Sequence, residues 1–369
     1  MIDLIERQDG KSIEDQEKAG SIRIVIADDS MFMRTVIRKI LENDPEIRVV
    51  GAARNGKEAV RLVKELKPDL VTLDIERPVM DGMTALRTIM KESPCPVMMI
   101  SSLTVEGSRA TLEALDLGAV DFIPKVGNDL SGQGSLLRRS LLEKVKACAG
   151  SSVKSSRKAV VRRPGGNLPT VLPPHGSPVE IVAIGASTGG PKALQDVIPY
   201  LPATFPAVVL VAQHMPEGFT RTFAERLNSI SHIPVHEAKE GDLLRPGRVL
   251  IAPGGRHLSV KRGKGTFPVV HISREPVDAP YRPSVDVMMR SVSEVYQERA
   301  LAVMMTGMGH DGRDGMQKIK QRKGRTLAQD RKSCVVFGMP GAVMEVGIVD
   351  QVVPLSHLAQ TIVQVTGSG

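Results

Sequence analysis

The sequence has no tryptophan, and aromatic residues make up only 3% of its 369 positions. Aliphatic side chains must therefore fill its cores, and a surface that stacks single-stranded bases on aromatic rings is disfavoured. Cysteine is also scarce. Cys95, Cys148 and Cys334 are far apart and odd in number, which argues against a disulfide framework and for free thiols in a reducing compartment. The N-terminus is mixed in charge with no apolar core of a secretory signal, and no apolar run reaches the ~18 residues that span a bilayer. These absences predict a cytoplasmic, soluble protein with no integral membrane segment.

What is present is ordinary for a globular chain: 41% hydrophobic residues, enough for normal cores. At roughly 100–200 residues per domain, two domains are expected. The net charge of +8 is uneven. Lys154, Arg157, Lys158, Arg162 and Arg163 fall in one tract without a single acid, among Ser, Gly and Pro. That composition predicts a solvated linker over 149–178 rather than a domain-wide nucleic-acid footprint. Residues 1–20 are polar and charged and are expected to be a disordered extension.

From Ser21 to about residue 148, short apolar runs alternate with segments of helical spacing. "IRIVIA", "IRVVGAA", "DLVTLD", "PVMMIS" and "AVDFIPK" are the strand candidates. Alternation resumes at 179 with "EIVAIG", "AVVLVAQ", "GRVLIAP", "ALAVMMTG", "GRTLAQ" and "IVDQVVP", and continues to 369. The pattern predicts α/β architecture: two doubly wound parallel sheets joined by the linker. In such sheets function collects at the carboxyl ends of strands.

Two constellations stand at those ends. In the first domain Asp28 and Asp29 follow strand one, Asp74 ends strand three, Ser101 ends strand four, and Lys125 follows strand five. Converging carboxylates repel unless a cation sits among them, and hard oxygen ligands suit Mg²⁺. An aspartate beside such a cation, with a lysine and a hydroxyl at hand, is equipped to accept a phosphoryl group. In the second domain Ser187 lies on the bend "GASTGG", His214 follows "AVVLVAQ", and Asp311 follows "ALAVMMTGMGH". A serine hydroxyl needs a base, and the base needs an orienting acid; a parallel sheet would bring these three to one edge. Glycines there permit sharp turns and backbone N–H groups facing a substrate. A dinucleotide-binding turn is the competing reading of the bend, but the G-x-G-x-x-G spacing is missing. A zinc site from His214, His257 and His310 lacks metal-ligand spacing.

The stretches "ADDS", "VTLDIERPVMDG", "MMISS" and "DFIPK" resemble a response-regulator receiver domain, flavodoxin-like in fold. The resemblance implies that Asp74 is phosphorylated and that Asp28, Asp29, Asp74 and the main-chain carbonyl of Glu76 hold Mg²⁺. It also implies that Ser101, Phe122 and Lys125 form the switch. Arg77 before Pro78 and Pro124 before Lys125 depart from the usual pattern. "IGASTGGPKAL", "AQHMPEGFT", "IAPGGRHL", "SVDVMMRSV" and "MMTGMGHDGRDGM" resemble the Rossmann-like catalytic domain of chemotaxis protein-glutamate methylesterases, with His310 where that family commonly shows Asn.

This second resemblance implies a receiver at 21–148 and a catalytic domain at 179–369. It makes Ser187 the nucleophile, His214 the general base and Asp311 its orienter. Met308 supplies an oxyanion N–H, while Thr188, Gly189 and Gly190 shape the pocket, with His257 near it. It further implies demethylation of chemoreceptor glutamates with no cofactor in the catalytic domain, deamidation of receptor glutamines in some members, and a chemotaxis histidine kinase as phosphodonor. A receiver with a DNA-binding output, or a scaffold with an idle triad, are the other classes of function; the second domain lacks a helix-turn-helix pattern.

Overall fold

The computed structural model describes residues 20–75, 81–125, 133–149, 177–263 and 265–367, with side chains of the first turns of the helix at 133 left out. Glu76, Arg77, and nearly all of the expected extension and linker lie outside the described residues.

The N-terminal sheet is built from β1 (Ile22–Ala27), β2 (Ile47–Ala53), β3 (Leu70–Asp74), β4 (Val97–Ser101) and β5 (Asp121–Pro124). Its helices are α1 (Met31–Glu42), α2 (Gly56–Leu66), α3 (Gly82–Glu92), α4 (Val105–Asp116) and α5 (Gln133–Ala149). The strands run parallel in the order β2-β1-β3-β4-β5, the flavodoxin-like arrangement. Both faces are covered, so β3 and β4 are buried along their whole length and carry apolar runs rather than alternation. Helix starts follow side-chain chemistry: Ser30, Asn55, Asp81 and Thr104 each accept a first-turn backbone N–H.

The C-terminal unit contains β6 (Ile181–Ala186), α6 (Gly190–Gln195), β7 (Val208–Gln213), α7 (Phe219–Ile230), β8 (Val235–Glu237), β9 (Arg248–Ile251), β10 (His257–Lys261) and β11 (Val269–Ser273). It continues with α8 (Val285–Tyr296), β12 (Ala300–Met304), α9 (Arg313–Gln321), β13 (Arg325–Gln329), α10 (Met339–Glu345), β14 (Gln351–Val353) and α11 (Leu355–Val365). Seven strands form a parallel sheet in the order β14-β13-β12-β6-β7-β9-β8. The chain builds outward on one side of β6, then crosses back to build the other side. This reversal opens a crevice at the carboxyl end of β6. Register sets the heights there: Ala186 pairs with Gln213 and Gly185 with Met304, so the segments after β6, β7 and β12 leave the sheet side by side.

The antiparallel hairpin β10–β11 was not anticipated by the expectation of a purely parallel sheet. Leu258 and Val260 of β10 and Val270 of β11 are buried, while Ser259 and His271 are part-exposed, so one face of the hairpin lies on the core. It packs outside the main sheet, against α8.

Two glycines are demanded by close packing at the crevice. A β-carbon on Gly190 would lie 2.0 Å from the Gln213 Oε1 atom. Gly312 has φ +96°, and its β-carbon would meet Val285 Cγ1 at 2.5 Å and Met304 Cε at 2.6 Å. Gly312→Ala should therefore cost about 1–3 kcal/mol through overpacking and backbone strain. Denaturant unfolding checks this; a midpoint equal to that of the wild type would refute it.

Candidate active site

Ser187 follows β6 on a tight bend. Its N–H donates to the Thr306 carbonyl at 3.0 Å, and its own carbonyl accepts from Gly190 N–H at 2.8 Å and Gln213 Nε2 at 2.9 Å. The bend is thus held from three sides. His214 follows β7, and its imidazole bridges the site: Nδ1 lies 3.1 Å from Ser187 Oγ and Nε2 lies 2.8 Å from Asp311 Oδ2. A carboxylate only accepts, so Nε2 carries the proton and the Nδ1 lone pair faces the serine.

Asp311 precedes α9 and is buried. Oδ2 also accepts from Val285 N–H at 2.7 Å; Oδ1 accepts from Ser284 Oγ at 2.9 Å and Asp286 N–H at 3.1 Å. These donors are the opening turn of α8, where the helix dipole favours negative charge. Burial alone would raise the Asp311 carboxyl, but the His214 hydrogen bond and charge, with the Val285 and Asp286 N–H groups, hold it at about 2. Neighbouring Asp286 moves the other way: burial raises it, and the Asp311 and Asp314 charges add to the rise.

Around the serine, Thr306 Oγ1 contacts the Thr188 carbonyl at 3.0 Å and the Val336 carbonyl at 3.1 Å. Gly307 packs directly against Ser187, since a β-carbon there would lie 2.8 Å from Ser187 Cβ. Met308 N–H, one residue on, has no hydrogen-bond partner among the described residues. The Thr188 hydroxyl is buried and likewise unpartnered among them.

In the N-terminal unit Asp28, Asp29 and Asp74 bring carboxylate oxygens within 4.8 Å of one another. Lys125 Nζ lies 2.8 Å from Asp74 Oδ2. Ser101 is fully buried; its Oγ receives the Thr111 hydroxyl at 2.6 Å and lies 3.1 Å from the Gly107 carbonyl, both on α4. The same helix packs on α7 and touches α6, the helices that lead away from His214 and Ser187. Asp116 at its end pairs with Arg226 at 2.8 Å. Phe122 stacks on Phe219, the first residue of α7, with ring centroids 4.7 Å apart. A cleft of about 600 Å³ remains between the units, bordered by Val105 and Arg109 on one side and Glu217, Arg221 and Arg256 on the other.

The family model for CheB methylesterase matches residues 182–362, and that for the response regulator receiver domain matches residues 24–130. A protein-glutamate methylesterase/protein-glutamine glutaminase of Oleidesulfovibrio alaskensis is 45% identical, over 92% of this chain and 98% of its own. One from Pyrococcus abyssi is 44% identical, with 93% of each chain covered. The chain belongs to the protein-glutamate methylesterase/protein-glutamine glutaminase family. A solved structure, the CheB methylesterase catalytic domain of Thermotoga maritima, is 41% identical, covering 50% of this chain and 98% of that one with a TM-score of 0.49.

Within this methylesterase-family chain, the structure brings Ser187, His214 and Asp311 into one hydrogen-bonded line and Asp28, Asp29, Asp74 and Lys125 into one pocket. Glu76 falls outside the described residues. His310 is exposed. His257 is fully buried and bonded to backbone, Nδ1 to Ser284 N–H and Nε2 to the Pro276 carbonyl, so no zinc cluster with His214 forms among the described residues. The sequence pattern missed Gln213, Thr306, Ser284 and the α8 backbone donors. Only "SVDVMM", a serine cap opening a helix, hinted at the last of these.

The depressed Asp311 pKa links stability to pH. A carboxylate lowered on folding contributes stability that is complete above its unfolded value and lost as pH falls through the folded one. From 3.8 to about 2, that contribution is worth about 2 kcal/mol. The stability gap between the wild type and Asp311→Asn should shrink by roughly this amount between about pH 5 and pH 2. Unfolding measured across that range tests it; a gap that ignores pH would contradict the assignment.

Proposed function

We propose that the chain is a phosphorylation-controlled serine hydrolase that demethylates glutamate methyl esters on chemoreceptors and deamidates receptor glutamines. The observation that carries this reading is the His214 imidazole, spanning Ser187 Oγ and Asp311 Oδ2 at hydrogen-bond distance. Ser187 Oγ attacks the ester carbonyl and its proton passes to Nδ1 of His214. The Asp311 carboxylate stabilises the imidazolium from the far side. Met308 N–H, beside the serine, is placed to donate to the developing oxyanion, with Thr188 at the same wall and Gly189 and Gly190 keeping the pocket floor free of side chains. The imidazolium then protonates the departing methanol, or ammonia from a glutamine. Water, deprotonated by His214, releases the glutamate and restores the serine.

In this reading residues 21–148 are the regulatory unit, 149–178 the linker and 179–369 the enzyme. Asp74 accepts the phosphoryl group from a chemotaxis histidine kinase. Three carboxylates within 4.8 Å are a donor set that suits Mg²⁺. Asp28, Asp29 and Asp74, with the Glu76 carbonyl, would hold that ion, which neutralises charge on the phosphoryl oxygens when bound. Lys125 pairs with the phosphate. Ser101, drawn towards it, leaves Thr111 and Gly107 on α4, and Phe122 turns with it. Both switch residues act on surfaces that rest on α6 and α7, so phosphorylation loosens the cover beside the triad.

The deciding assay is methanol release from methylated receptor cytoplasmic fragments, with and without a small phosphodonor and Mg²⁺. Ser187→Ala should lose activity by on the order of 10⁴-fold or more and lose fluorophosphonate labelling. Asp74→Asn should keep basal activity and lose stimulation. Asp116→Arg, facing Arg226, should raise basal activity several-fold, about 1 kcal/mol of interface strain. Labelling that survives in Ser187→Ala would refute the triad; Asp116→Arg with wild-type basal activity would count against the gate.

A further inference from the structure

One face of the His214 imidazole is covered by a residue that neither the motifs nor the triad geometry assigns. The Tyr281 ring lies on it with centroids 4.1 Å apart and planes 11° apart. Tyr281 sits between β11 and α8, in a segment without regular secondary structure that is nonetheless braced at several points. Buried His257 accepts Ser284 N–H at Nδ1 (3.2 Å) and donates from Nε2 to the Pro276 carbonyl (3.2 Å), tying residues on both sides of Tyr281 to β10. Burial lowers the His257 pKa, in keeping with the neutral ring that these two bonds require. Gly255 N–H donates to the Arg282 carbonyl at 3.1 Å, and the Arg282 side chain donates to the Val277 carbonyl. The Tyr281 hydroxyl points towards the turn after Met308: a β-carbon on Gly309 would lie 3.6 Å from it.

We propose that Tyr281 is a positioning residue of the hydrolase. Its ring holds the imidazole in the one orientation that reaches Ser187 and Asp311 together, and its electron-rich face stabilises the imidazolium formed as Ser187 attacks. The proposal rests on the hydrolase reading. The groups that face the imidazole are Ser187 from the β6 bend, Asp311 from the β12–α9 connection, and Tyr281. Asp286 lies behind Asp311, Arg282 adjoins the tyrosine, and His310 is the exposed neighbour of Asp311 in sequence. Asp311 is the only charged one of these in direct contact with the ring, so replacing Tyr281 removes the stack and leaves the main charge in place.

The test uses the full chain. Tyr281→Phe keeps a ring and should stay within about threefold of wild-type kcat. Tyr281→Leu and Tyr281→Met keep apolar cover but lose the ring. Each should lower kcat about tenfold with KM nearly unchanged, the scale of one aromatic stack. In both, the acid limb of the rate profile and the His214 titration followed by NMR should move to lower pH, because the imidazolium loses its stabilising face. Two aliphatic variants guard against one failing to fold. Wild-type kcat and wild-type His214 titration in a folded aliphatic variant would overturn the proposal, as would Tyr281→Phe being as impaired as Tyr281→Leu. If the wild type released no methanol, the hydrolase reading would fall, while the His214 titration would still decide the stack.

Discussion

The Asp311 carboxylate joins three parts of the C-terminal unit. It receives the imidazole from the end of β7, a hydroxyl and two backbone N–H groups from the start of α8, and sits itself at the end of the β12 segment. Burying a lone carboxylate costs several kcal/mol, and four donors, three of them at a helix N-terminus, offset that cost. Each of those donors must be in place for the charge to be tolerated. The same requirement that keeps the buried acid ionised therefore also keeps His214 turned towards Ser187. The opposite behaviour of Asp286, adjacent but raised by burial, shows how local this environment is.

A second set of contacts links the two units through a single helix. α4 carries Thr111 and Gly107, which hold the Ser101 hydroxyl on its inner face, and Asp116, which pairs with Arg226 outside. Leu112 and Leu115 of α4, Phe122, and Phe219 and Phe223 of α7 belong to one contiguous apolar cluster. An exposed ion pair contributes little by itself, whereas stacked and buried rings contribute more. The contact between the unit that holds Asp74 and the unit that holds Ser187 therefore depends chiefly on apolar packing, with Phe122 on Phe219 at its centre.

Much of this was legible in the residues. Continuous apolar runs such as "VVLVAQ" marked buried parallel strands, and the polar residue just beyond each run marked the functional edge. Ser187, His214, Asp311, Asp28, Asp29, Asp74 and Lys125 all lie at such strand ends. The hairpin β10–β11 was not, because two short alternating strands around a glycine-rich turn look like loop in a chain dominated by helix-and-strand repeats. Tyr281 was hidden for another reason: it lies in an irregular segment, and a stacking contact leaves no periodic trace. Thr111 was hidden inside an amphipathic helix, where one threonine looks like any other half-polar position.

By itself the sequence determined which chemical groups were available and in what order the strands would present them, because strand and helix periodicities and the acid–base character of side chains are local properties. Only the tertiary structure decided that Nδ1 rather than Nε2 faces the serine, that the first turn of α8 stabilises the Asp311 carboxylate, and that a tyrosine roofs the imidazole. These depend on backbone N–H vectors and ring faces contributed by segments many residues apart, and such directions exist only once the chain has packed.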